Sequence, residues 1–169
     1  MYDYVIIIYI FDKDIAHQLL APFMSMIVIS FLAIIALMTV KNKETLLQDT
    51  ADIRHPLELS TAILFALLFM LFAFLTQYVT SIFGGHGLKS LAIIVGFTDI
   101  DPFILSLLGG NFTASIAAIV SAIVLASGSN NLLKAAYAIG LARNRSVLFA
   151  SAWLSLLFVI SLVYAYKFV

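Results

Sequence analysis

Cysteine is absent from this chain, which excludes disulfides, thiolate metal sites and cysteine nucleophiles. Charge is scarce too: 9 basic and 9 acidic residues make up 11% of the 169, against 63% hydrophobic. That even balance leaves no basic surface for nucleic acid. A soluble domain of this length could not cover so much apolar surface with so few charges. The mean hydropathy of +1.12 therefore places the chain in a lipid bilayer. The first residues do not read as a signal peptide either. Tyr4–Phe11 is apolar, but Asp3 precedes it and Asp12-Lys13-Asp14 follows, with no basic n-region and no small-residue cleavage site. It is also too short to span, which suits an interfacial or protein-packed segment. The length allows a single transmembrane bundle over residues 1–169.

What is present is a set of long apolar segments: Leu19–Val40, Leu59–Phe83, Gly87–Leu108, Thr113–Ala142 and Ser146–Val169. A span needs about 20 residues, so about five crossings fit an all-α, polytopic architecture. The one substantial hydrophilic loop, Lys41–Glu58, ends in Arg54-His55-Pro56-Leu57-Glu58, where proline and an acidic residue suit a helix start. Gly84-Gly85-His86, Gly109-Gly110-Asn111 and Arg143-Asn144-Arg145 are short enough to force antiparallel neighbours.

Two segments carry interruptions. Asp99-Ile100-Asp101-Pro102 sets two carboxylates in an apolar stretch, where each costs roughly 2.5–3.5 kcal/mol near the membrane centre. A proline pushes its predecessor out of helical geometry, so a break is expected near Asp101. It would leave Leu88–Phe97 and Pro102–Leu108 as half-helices, the second capped by Asp101. Ser127-Gly128-Ser129-Asn130-Asn131, at the centre of the fourth segment, is poor helix sequence and good turn sequence, so a second break is expected near Gly128. Paired interrupted helices mark binding sites in secondary transporters. The competing reading is a proline kink followed by one long, polar-tolerant helix.

Ala114, Ala118, Ala122 and Ala126, and again Ala136 and Gly140, recur at every fourth position, a spacing that lets helices pack closely in lipid. The orientation signal is flat. With five crossings, Lys13, Lys89, Arg143 and Arg145 fall on one side and Lys41, Lys43, Arg54 and Lys167 on the other. A re-entrant segment would resolve this by moving Arg143 and Arg145 beside Lys41. An antiparallel dimer inserted both ways, or a separate membrane subunit that sets the orientation, would also account for it.

Ser127, Asn130, Asn131, Lys134 and Tyr137 form a polar stripe on an otherwise apolar helix. Joined to the first interruption, they define a candidate ion-binding site. Asp99 and Asp101 would be cation ligands or proton carriers, with Thr98, Ser106, Ser127, Asn130 and Asn131 as polar ligands and Lys134 as an internal counter-charge. Carboxylates, amides and hydroxyls are hard oxygen donors suited to sodium, magnesium or a proton. The plain structural alternative is a permanent ion pair between Lys134 and one aspartate, with the other aspartate as a cap.

His17, His55 and His86 lack metal-ligand spacing, and Gly84-Gly85-His86-Gly87 lacks the strand–helix context of a phosphate loop. An aspartyl hydrolase needs facing carboxylates. Residues two apart on a continuous helix point about 200° apart, and no second membrane segment supplies an aspartate. The chain is read as no enzyme, with no cofactor beyond a bound cation.

From Arg54 onward the chain resembles a bacterial membrane domain of unknown function usually found C-terminal to an MgtC/SapB-type membrane domain. The resemblance rests on His55-Pro56-Leu57-Glu58-Leu59, on Gly96-Phe97-Thr98-Asp99-Ile100-Asp101 followed by Ser106-Leu107, and on Ser129-Asn130-Asn131-Leu132-Leu133-Lys134. Pro102 departs from the family pattern, which commonly has alanine there. The resemblance implies a bacterial inner-membrane protein connected with ion homeostasis and supplies no activity.

Two functions follow as expectations. One is a small membrane protein that binds and transports a cation or small ionic solute, working as a homo-oligomer in the bilayer. The other is a non-transporting regulatory or assembly subunit whose polar residues dock a partner's helices.

Overall fold

The structure, a computed structural model, describes residues 13–40, 59–110, 114–141 and 145–167. The expected segment Tyr4–Phe11 and the hydrophilic loop Lys41–Glu58 lie outside the described residues. All elements are helices, as composition and apolar run length predict: α1 (Lys13–Val40), α2 (Leu59–Val95), α3 (Ile100–Gly109), α4 (Ile116–Leu141) and α5 (Arg145–Lys167). Four of them, all but α3, are long and apolar enough to cross a membrane.

Helix α2 reaches Phe83 as its apolar run predicts, and there it breaks. Gly84 adopts φ 59° and ψ −147°, a region essentially closed to residues with a side chain. Beyond it the chain bends sharply. A Cβ at Gly87 would stand 2.7 Å from Val79 Cγ1, whereas residues eight apart on a straight helix are separated by about 12 Å. Helix α2 thus has two arms, residues 59–83 and residues 85–95.

Helix α4 is the axis of the bundle. Over the most apolar 18 residues of each span, buried residues make up 67% in α4, against 33% in α1, 11% in α2 and 17% in α5. The second arm of α2 lies along it in parallel: Gly85 meets the Ala118 side chain, and Gly96 meets Ala126 and Ser129. Helix α5 runs antiparallel to α4. Gly128 packs on Phe158 and Ser161, and Lys89 Nζ, level with the earlier turns of α4, donates to the Ala165 carbonyl at 3.3 Å. Trp153 Nε1 donates to Ser30 Oγ at 3.3 Å and ties α5 to α1.

The parallel arm has a topological consequence. Residues 85–95 advance about 16 Å along α4. Helix α3 follows against the first arm of α2, with the Phe103 ring edge-on to Phe72 and Gly109 nearest Phe69. The third apolar segment is therefore a pair of half-helices split at Asp99, rather than a fifth full-length helix.

Two expectations are corrected. No interruption occurs near Gly128, since α4 is helical throughout Ile116–Leu141. The glycine serves a close approach instead: a Cβ there would lie 2.6 Å from Ser161 Oγ and 2.7 Å from its Cβ. Small residues that read as turn formers are here packing residues. The cap of α3 is Asp99, not Asp101. Asp99 has extended backbone (φ −90°, ψ 117°) and its Oδ1 accepts the Asp101 N–H at 3.2 Å. Pro102 then falls in the first turn, where a missing N–H removes no helical bond.

The alanine stripe packs as its spacing predicts along Ala118, Ala122 and Ala126, which are buried. Its second repeat does not: Ala136 is exposed and Gly140 has no atom within 4 Å of a built Cβ. This belongs to a wider pattern. The helices pack tightly at the Gly84–Ile116 end, through Ala16, Leu19, Phe23, Thr80, Leu88 and Ile123. At the other end residues 62–67 are exposed in an unbroken run, as are residues 139–141. A consecutive exposed run leaves a helix uncovered on every side.

Candidate functional site

The polar interruption and the centre of α4 are in direct contact. Any side chain at Gly96 would collide with Ser129 Cβ and with the Ala126 carbonyl, so the end of α2 lies against α4 without a spacer. Ser129 is about 20 Å from the start of α4 and about 18 Å from its end. The break between α2 and α3 is thus level with the midpoint of a membrane-length helix.

Local hydrogen bonds close the break. Phe97 N–H and Thr98 N–H reach back three residues, to Ile94 O at 3.1 Å and Val95 O at 2.8 Å, tightening the last turn of α2. Thr98 Oγ1 donates to Val95 O at 2.8 Å. Asp99 follows as the cap of α3, and Asp101 sits in its first turn. Both carboxylates stand at the positive end of the α3 dipole. Thr98, Asp99 and Asp101 are all exposed on the surface of the single chain.

The other candidates divide by helix geometry. Asn130 borders the Gly96 contact, its backbone N–H lying 3.2 Å from a Cβ built on that glycine. Lys134 is one turn further along α4 and exposed. Among the described residues no ion pair joins Lys134 to Asp99 or Asp101. Ser127 is buried and lies about 200° around the helix from Ser129. Asn131, half-buried, is on that same side. Ser106 is fully buried and donates to Phe103 O at 2.7 Å, about 10 Å along α3 from Asp99. The structure therefore gathers Thr98, Asp99, Asp101, Asn130 and Lys134 around one mid-length break, and leaves Ser106, Ser127 and Asn131 apart from it.

Four buried hydroxyls without a hydrogen-bond partner were not among the site candidates: Thr76 and Thr80 on α2, Ser129 on α4 and Ser151 on α5. Ser121 and Ser161, by contrast, donate to carbonyls of their own helices. Two threonines one turn apart in an apolar helix were the available signal. Among the described residues no group of three or more His, Cys, Asp or Glu side chains could hold a metal ion. A cavity of about 440 Å³ opens in the angle of α2 between Phe83, His86, Ser90 and Ile94. It is mostly apolar and lies on α2 away from the aspartates.

Four apolar membrane-length helices, one of them the buried axis α4, define a multi-pass helical membrane protein. The chain belongs to the family described as a domain of unknown function (DUF4010), which matches residues 1–142. That match reaches back to residue 1, well before Arg54, and stops short of α5. The chain is 32% identical over 123 residues to an uncharacterized protein of Aquifex aeolicus (strain VF5), an alignment covering 72% of this chain and 52% of that protein. The chain thus spans about half the length of the curated relative it matches. No solved structure matches it.

Proposed function

We propose that this protein binds a cation at the α2–α3 break and carries it across the membrane. The observation that supports this most is the position of the break: two carboxylates, a hydroxyl and a helix terminus stand level with the middle of α4. Non-helical backbone at membrane depth is tolerated where it is buried in protein or lines a watery cavity. Discontinuous helices meeting near the midplane are how many transporters hold ions. Asp99 and Asp101 supply charge, Thr98 and Asn130 neutral oxygens. Two carboxylates without a third acidic neighbour suit a proton or sodium better than a fully caged divalent ion. Lys134, one turn away, is the internal cation that competes for the carboxylates.

In this reading α1, the first arm of α2, α4 and α5 cross the bilayer, and the second arm of α2 with α3 forms a re-entrant segment. Lys41, Lys43, Arg54, Arg143 and Arg145 then share one side, while Lys13, Lys89 and Lys167 lie on the other. The positive-inside rule assigns the first side to the cytoplasm of a bacterial inner membrane. Single cysteines placed along this cysteine-free chain test the topology: residues 84 and 115 should label from the same side.

Thermal stability of the purified protein across pH and a panel of sodium, magnesium, calcium and manganese salts tests the site. A ligand at 100 times its Kd stabilises by about 2.7 kcal/mol. A shift from one ion, or a proton-linked shift, that disappears in Asp99→Asn/Asp101→Asn is the expected outcome, followed by flux in proteoliposomes. An unchanged shift in that double variant would refute the assignment.

A further inference from the structure

We propose that the exposed half of the bundle is an interface with a second copy of this chain, in which Lys134 of each copy pairs with Asp99 of the other. Asp99 is exposed although it stands level with the middle of a membrane-length helix. Facing hydrocarbon, it would cost about 2.5–3.5 kcal/mol. Lys134 is exposed on the same stretch of α4 and meets the same penalty. One chain therefore presents both signs of charge on one surface at one depth, the condition for a self-complementary two-fold contact.

The levels agree. Lys134 lies about 7.5 Å beyond Ser129 along α4. Helical side chains lean toward their N-terminus, so the lysine stem points back toward the level of Asn130 and the break.

The surroundings fit a helix rather than lipid. Ala136 and Gly140, one turn apart, are exposed, and open space surrounds Gly140. A pair of small residues one turn apart lets a second backbone approach closely in a membrane. Phe97 at 46% and Tyr137 at 61% exposure frame the charges with aromatic surface. The second copy covers the uncovered turns of α4 and closes the cation site from outside. This inference shares Asp99, Lys134 and the mid-membrane placement of the break with the proposed function, and in it the lysine that competes for the carboxylates comes from the second copy.

Charge reversal in separately tagged copies tests it. Asp99→Lys alone and Lys134→Asp alone each place like charges together in a homodimer, while the mixed pair restores opposite charges at both contacts. An ion pair within one chain cannot produce that pattern. Co-expressed in membranes and extracted into nanodiscs, the mixed pair should exceed either homodimer by at least about tenfold. Because Asp99→Lys removes a helix cap, a second measurement uses chains that retain both charges. One copy carries Phe97→Cys and the other Tyr137→Cys, and a disulfide between the two tags is expected. Equal recovery of all three pairs, or monomers with no cross-link from a folded protein, would overturn the proposal. Loss of the dimer with retained ion-dependent melting would separate this failure from that of the cation site.

Discussion

Gly96, at the end of α2, presses its bare α-carbon against Ser129 at the midpoint of α4. The obstacle to any larger residue is Ser129 Cβ together with the Ala126 carbonyl, neither of which can swing away. Gly96→Ala should cost about 1–3 kcal/mol, the usual range for overpacking. In a detergent that holds single chains, Gly140→Ala should be neutral or stabilising by up to about 1 kcal/mol, since nothing lies near it and alanine favours helix. Reversible unfolding in mixed micelles would measure both. Equal effects would show that the α2–α4 contact is loose.

The cap and the charge of Asp99 can be separated. Asparagine caps helices as well as aspartate does, and alanine does not. Asp99→Ala should lose about 0.5–2 kcal/mol of stability. Asp99→Asn should keep it while losing any ion-dependent shift in Tm. A stable alanine variant would mean that the capping bond to Asp101 N–H contributes nothing.

Trp153 is the only tryptophan in the chain, so its fluorescence reports the contact between α5 and α1 directly. Ser30→Ala removes the indole's acceptor and should change the emission. The cost should be about 0.5–1.5 kcal/mol, as for one intramolecular hydrogen bond. An unaltered spectrum would show that the two helices do not meet at this point.

Thr76 has a fully buried hydroxyl without a partner. Replacing it with valine keeps the shape and removes the unsatisfied group, so Thr76→Val should leave stability unchanged or raise it by about 1 kcal/mol. A loss of ion-dependent stabilisation in the same variant would make this hydroxyl part of the site.

Much of the architecture was legible where local chemistry decides it. The long apolar runs predicted helices of membrane length, and the glycines at 84 and 85 marked a true break. The polar cluster from Thr98 to Pro102 marked the second. Gly128 misled because its helix propensity is low, while its position is set by Ser161 on another helix, a contact no local pattern encodes. The two aspartates are equally good caps, so spacing alone could not choose Asp99 over Asp101. The placement of the second arm of α2 along α4 rests on Gly85 meeting Ala118 and Gly96 meeting Ser129. Those are pairings between distant residues, and only the folded chain reveals them.

The half-helices on either side of Asp99 also set an order of assembly during synthesis. Neither is long enough to be held by lipid alone, and α4, against which the first of them packs, follows both in the chain. At about 5–20 residues per second, the ribosome needs one to several seconds to complete α4 after α3. Over that interval the break and its carboxylates have only the first arm of α2, through Phe72 and Phe103, to lean on. Their entry into the membrane is thus a late event that waits for the fourth helix, so damage to the buried face of α4 should appear first as failed insertion of the segment before it.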